Sequence, residues 1–271
     1  TGMEPIIVTI MILLLCGIVA GFLAGLFGIG GGVVMVPVMF LLLGDLGYED
    51  NAMAISVATS AAVILPTAVA GTLKKYSEKQ ITWWPAIILG IGGILGSMAG
   101  SSLSVLIPRQ AHALAFSCFL IFMAFWMAVK QSRYLSAYTV RETELILLAL
   151  GTCVGIASGL FGIGGGVILT PVLTSVLGMN IHKSIGISLT AMVLIASGTV
   201  MSYIVLGWEM DGLLPFSIGY VNLLFAVALV ITSIPAVRFG VKTGSAMSGR
   251  RLQMLFIGML ILLAIRMAIS A

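Results

Sequence analysis

Four glycines in five residues stand at Gly28-Ile29-Gly30-Gly31-Gly32, and the same pentapeptide returns at Gly162-Ile163-Gly164-Gly165-Gly166. A glycine-rich turn that opens a helix can do anion chemistry. The first backbone N–H groups of a helix lack partners and carry the positive end of its dipole. Neither copy is a nucleotide loop: no Lys follows the glycines, and Val33 and Val167 stand where GxGxxG requires its last glycine. Apolar runs on both sides also remove the strand–turn–helix context. Between such runs the block breaks a helix at membrane depth, where irregular backbone is tolerated only inside protein or against a watery cavity. Helices resuming at Val33 and Val167 would aim N–H groups at an anion. Gly30, Gly31, Gly32, Gly164, Gly165 and Gly166 are therefore candidate substrate-binding residues. The plainer alternative is that the glycines only permit a tight buried hairpin.

Hydroxyls at membrane depth are the second candidates. Ser56, Thr59 and Ser60 lie near the start of one apolar run, with Ser188 and Thr190 near the corresponding place of another. Such groups often bond only the carbonyl four residues back in their own helix. Their recurrence at matching positions nominates Ser56, Thr59, Ser188 and Thr190 as substrate contacts. Asn222, an amide inside a predicted span, has no counterpart and ranks lower. His112 and His182 sit at run edges, far apart, and read as interfacial. Cys16, Cys118 and Cys153 form no CxxC pair and read as small packing residues. No metal and no cofactor is called for.

The elements that must position these residues follow from composition. Of 271 residues, 60% are hydrophobic and 8% charged, and the mean hydropathy is +1.21. A soluble domain carries about a quarter charged residues, so a water-soluble enzyme, a disordered chain and a disulfide scaffold are excluded. The net charge of +4 is too sparse for a nucleic-acid surface; membrane lipid and a small anion are the expected partners. The first apolar run lacks a basic segment before it and outlasts a signal-peptide core, so it reads as mature sequence.

A spanning helix needs about 20 apolar residues. Eight runs qualify: 5–43, 52–72, 83–106, 112–129, 145–177, 184–207, 213–237 and 252–270. Runs 5–43 and 145–177 are too long for one crossing, and they are copies of each other. Residues 17–38 and 151–172 agree at 13 of 22 positions, including an unbroken GLFGIGGGV. The chain is thus a duplication, with halves 3–134 and 135–271. Glycines four apart at 17, 21 and 25, at 151, 155 and 159, and at 92, 96 and 100 predict close helix packing. Pro37 and Pro171 should bend the resumed helices.

Charge placement orients the halves. With loop 73–82 (Lys74, Lys75, Lys79) in the cytoplasm, alternation puts 11 of 13 Lys and Arg on that side, Arg109 and Arg266 excepted. Arg133 and Arg141, in the loop at 130–144, and Arg238 to Arg251 then lie inside, whereas Asp45, Glu49, Asp50, Glu209 and Asp211 lie outside. Trp83 and Trp84 form an inner aromatic belt. Equivalent loops fall on opposite sides, so the repeats are inverted. Each long run is then a hairpin or a re-entrant pair turning at GIGGG, with both termini outside. The alternative is eight spans in parallel halves. The expectation is an all-α, polytopic bundle of two inverted repeats with glycine-broken helices and about 8–10 membrane segments.

The twin blocks Gly28 to Pro37 and Gly162 to Pro171, each followed by a loop and an A/G-x-S segment at 54–56 and 186–188, resemble the sulfite exporter TauE/SafE family of membrane permeases. The resemblance covers essentially the whole chain, although Ile55 and Ile187 stand where the family more often has Thr. It implies export of a sulfur-containing oxyanion, sulfite or a sulfonate such as sulfoacetate, across a bacterial inner membrane. An anion channel is the nearest rival. An intramembrane enzyme would need a nucleophile–base pair or metal cluster at depth, which two run-edge His and three scattered Cys do not supply. All nine acids lie in termini or loops, so no carboxylate is available as a midplane proton relay.

Overall fold

The computed structural model describes residues 3–79, 81–131, 144–175, 177–210 and 212–269. Arg133, Arg141, Glu142 and Asp211 lie outside the described residues. The apolar runs become helices: α1 Met3–Phe27, α2 Gly32–Asp45, α3 Ala52–Ser77, α4 Trp83–Ser104 and α5 Arg109–Gln131 in the first half. The second half holds α6 Glu144–Phe161, α7 Gly166–Ser175, α8 Ile181–Leu206, α9 Leu223–Ala246 and α10 Gly249–Ile269. Among the described residues, seven helices are long and apolar enough to cross a membrane.

Both long runs break at the glycine blocks. Gly28, Gly30 and Gly31, and equally Gly162, Gly164 and Gly165, have φ between +66° and +81°, which a side chain resists and glycine adopts freely. The 14 residues of α2 and the 10 of α7 rise only about 21 and 15 Å, short of a hydrocarbon core of about 30 Å. Each long run is therefore one full helix and one half-length helix that turns back from mid-membrane.

The halves interlock. The first helix of each packs along the fourth helix of the other: α1 on α9, and α6 on α4. Glycine ladders make both seams. A Cβ on Gly21 would strike the backbone of Ser233, and one on Gly155 the backbone of Gly93. Without a hydrophobic drive between helices in lipid, such backbone contact supplies the dispersion that holds them together.

Helices α3 and α8 pair at the centre and run antiparallel. Gly71, late in α3, packs on Leu189, early in α8, and Lys79, Ile81 and Thr82 line one cavity with Asn180, His182 and Lys183. Two equivalent helices can face each other antiparallel only if a two-fold axis lies across them. That axis lies in the membrane plane, and the repeats are inverted. Lys75 Nζ donates to Ser245 Oγ at 3.0 Å, joining the ends of α3 and α9, while Arg109 reaches Glu49 at 2.7 Å at the opposite end.

Four expectations are corrected. Run 213–237 is not helical throughout: Ser217–Ile218 (β1) and Val221–Asn222 (β2) pair antiparallel, and α9 starts only at Leu223. Pro215 and Gly219, with φ +54°, interrupt the run. Asn222 is accordingly not inside a span but caps α9, its Oδ1 accepting from Phe225 N–H at 3.0 Å. His112 is not interfacial, since it is 1% exposed and its Nε2 meets Leu160 O at 2.7 Å. Of the cysteines only Cys16 is packed; Cys118 and Cys153 lie on the outer surface of the bundle.

Glycine ladders that carry the fold should not tolerate side chains. Gly21→Leu or Gly155→Leu overpacks a seam by about 1–3 kcal/mol, which lowers the unfolding temperature by roughly 5 °C. Gly258→Leu, where a side chain meets nothing within 4 Å, should leave it unchanged. Thermal unfolding of the three purified variants checks this.

Candidate functional site

The two glycine breaks lie against each other at the centre of the bundle. A Cβ on Gly32 would strike Gly162 O, and one on Gly166 would strike Gly28 O. Residues 28–32 thus run beside 162–166, brought together by the in-plane axis. Gly30 and Gly164 share the same two neighbours, Ile64 of α3 and Met192 of α8. These side chains wall both breaks on the α3–α8 side.

Residues 28–33 and 162–167 are all buried. Among the described residues, no group accepts a hydrogen bond from the N–H of Ile29, Gly30, Gly31, Gly32 or Val33, nor from Ile163, Gly164, Gly165, Gly166 or Val167. Every helix start leaves its first N–H groups without an intrahelical partner, and here two such starts face each other in buried backbone. The N-termini of α2 and α7 add their dipoles, so the field at the breaks is positive without a basic side chain. Among the described residues the buried Lys and His side chains are Lys75 and His112, which bond Ser245 and the Leu160 carbonyl instead.

Two serines take up carbonyls of the breaks. Ser60 Oγ donates to Gly162 O at 2.9 Å, and Ser188 Oγ to Gly28 O at 2.9 Å. Thr170 Oγ1 adds a bond to Phe27 O at 3.2 Å. Each break is therefore held by the other half, through α3 or through α8. The candidate hydroxyls divide accordingly. Ser188 reaches the breaks. Thr59 Oγ1 accepts from Asn222 N–H at 3.0 Å and fixes the start of α9. Ser56 and Thr190 bond their own helices, at Ala52 O and Gly186 O, at 2.7 and 2.9 Å.

Ser60, not Ser56, is the spatial counterpart of Ser188. Sequence matching of 54–56 with 186–188 slips by one helical turn. Twenty residues separate Gly32 from Ala52, but only fifteen separate Gly166 from Ile181, so equal sequence offsets do not mean equal places. The shared neighbours of the glycines, Ile64 and Met192, would have shown the true register.

Removing Ser60 takes the serine bond from Gly162 O, and removing Ser188 leaves Gly28 O only the longer bond from Thr170 Oγ1 at 3.4 Å. Ser60→Ala and Ser188→Ala should destabilise by similar amounts, about 1–3 kcal/mol. Ser56→Ala and Thr190→Ala, which lose only a bond within one helix, should stay within about 1 kcal/mol of the parent. Unfolding temperatures of the four variants decide between the two registers.

Comparison with known proteins follows this geometry. The family described as "Sulfite exporter TauE/SafE" matches residues 13–267. A "Probable membrane transporter protein" of Haemophilus influenzae is 31% identical over 265 residues, covering 95% of this chain and 97% of that one. Proteins of the same description from Methanocaldococcus jannaschii and Bacillus subtilis are 29% and 28% identical, each over 90% of this chain and 90% and 89% of theirs. No solved structure matches. The chain belongs to the sulfite exporter TauE/SafE family, a family of membrane transporters rather than enzymes.

Proposed function

We propose that this protein is a secondary transporter that exports a small sulfur-containing oxyanion, sulfite or an organosulfonate such as sulfoacetate, across the bacterial inner membrane. Halves 3–134 and 135–271 act as the two inverted repeats. The substrate sits between the breaks, held by N–H groups of Gly30, Gly31, Gly32, Gly164, Gly165 and Gly166 at the facing starts of α2 and α7. Ser60 and Ser188 tie back the Gly162 and Gly28 carbonyls so that donors, not acceptors, face it. Thr59 fixes the start of α9, and Ser56 and Thr190 bond within α3 and α8, so these three support the helices around the site.

The ten buried N–H groups without a protein acceptor carry this reading. They suit an anion that needs a dense set of donors. Inverted repeats with discontinuous helices build midplane sites in many secondary transporters, which favours a carrier over an open channel. The family description names sulfite export, and the relatives are named as probable membrane transporters without a substrate.

Energy comes from the membrane potential. Midplane transport without a buried carboxylate leaves no evident proton relay. Moving one negative charge outward at about −100 mV gains roughly 2.3 kcal/mol, or about a forty-fold concentration ratio. Proteoliposomes with an imposed potential and no pH gradient should show potential-driven oxyanion flux, and Gly165→Val should abolish it. Flux that ignores the potential and follows a proton gradient would overturn the uncoupled mechanism.

The orientation puts the Lys75–Ser245 end in the cytoplasm and both termini in the periplasm. In a cysteine-free background, Ser248→Cys should label from the cytoplasmic face and Asp50→Cys from the other. Both residues are exposed, and labelling of both from one side would exclude this arrangement.

A further inference from the structure

A cavity of about 410 Å³ opens where the end of α3 meets the start of α8, lined by Lys79, Ile81, Thr82, Asn180, His182 and Lys183. Its volume falls in the range of about 300–1,000 Å³ usual for small-molecule sites. Two lysines, a histidine, a threonine and an asparagine are among its lining residues, and no Asp or Glu is among the described ones. The nearest acid, Glu78, is already engaged. It lies 3.7 Å from Lys74 Nζ and 3.6 Å from Lys75 Nζ, and accepts from Ser245 Oγ at 2.8 Å. Lys79 and Lys183 are therefore uncompensated by that carboxylate, and the cavity is set for an anion.

A second observation ties it to the interior. Ser184, two residues beyond His182, is fully buried, and its Oγ has no hydrogen-bond partner; the Nδ1 of His182 is likewise buried and unpartnered. Ser184 and Ser188 are one turn apart and share a face of α8, and Ser188 bonds Gly28 O in the break. From His182 to Ser188 the helix rises only about 9 Å. Ser184 and Ser188 thus lie on one buried face of α8, between its cavity end and the glycine breaks.

We propose that this cavity is a second anion site, a mouth that captures a soluble oxyanion and passes it along Ser184 and Ser188 to the midplane. The handover rests on the midplane site proposed above; the binding of an oxyanion in the mouth does not. A pair of lysines around a wet cavity suits a hydrated oxyanion as point charges, without the fixed geometry of a guanidinium.

The test uses the purified chain in phosphatidylcholine nanodiscs, with native cysteines replaced and Thr82→Cys as reporter. Thr82 makes no side-chain cap to α4, so the substitution is mild. Sulfate is the probe, because sulfite itself adds to maleimides. Sulfate should slow maleimide labelling of position 82 about tenfold, as a site roughly nine-tenths occupied would, while chloride at matched ionic strength should not. Lys79→Gln with Lys183→Gln, both at exposed positions, should remove the protection, and Lys79→Arg with Lys183→Arg should keep it. Equal protection by chloride, or protection that survives the double Gln change, would overturn the site. Protection that appears only when phosphatidylglycerol is added and sulfate is absent would mean a lipid headgroup, and would overturn capture of a soluble anion. Gly165→Val should retain protection, which separates failure at the mouth from failure at the midplane. In proteoliposomes the double Gln change should raise the half-saturating oxyanion concentration about tenfold; an unchanged value would overturn the handover.

Discussion

A backbone N–H buried away from water must find an acceptor, and inside a bilayer there is no bulk water to provide one. Regular helices meet this constraint internally. The two GIGGG blocks do not: eight of their N–H groups, and those of Val33 and Val167 that follow them, have no acceptor among the described residues. Everything around them serves to keep that exposed backbone in one place and away from lipid. Helices α3 and α8 cover it with Ile64 and Met192, and Ser60 and Ser188 take up the carbonyls of Gly162 and Gly28.

The interlocked arrangement explains why the breaks can be rigid although they are irregular. Each break is anchored by the opposite half, and each half contributes its first helix to a seam with the other's fourth. Neither repeat could bury its glycine ladder alone. A Cβ at Gly96 would strike Thr152 O, and one at Gly240 would strike Phe22 O, so the seams admit only glycine at these crossings. The same contacts that hold the bundle together therefore fix the distance between the two half-helix starts. Because the relation is a two-fold one, a field built at one break is matched by an opposed copy at the other.

Symmetry is not complete, and the departures have physical causes. Among the described residues only the second half carries the β1–β2 turn and the Asn222 cap, which α3 meets through Thr59. The path from break to third helix is shorter in the second half, so α7 ends after 10 residues where α2 has 14. Lys75, fully buried at one end of α3, is held by Ser245 and faces Glu78; the other end is closed differently, by the Arg109–Glu49 pair with the guanidinium stacked 4.9 Å from the Phe40 ring.

Hydropathy, duplication and charge placement were legible in the residues. Apolar runs of known length require helices, an identical nonapeptide requires a repeat, and lysines gathered on alternate loops imply inversion. The glycine breaks could be found the same way, because four glycines in five residues cannot continue a helix. Other features depended on distances between residues far apart in the chain. Sequence offset paired Ser56 with Ser188, whereas folding paired Ser60 with it, because a five-residue difference in the connections shifts the helix by about a turn. The Asn222 cap, the burial of His112 and the meeting of the two breaks likewise rest on tertiary contact. Local chemistry decides where a chain must break or cross; only packing decides which broken backbone faces which, since that is set by the relative position of whole helices.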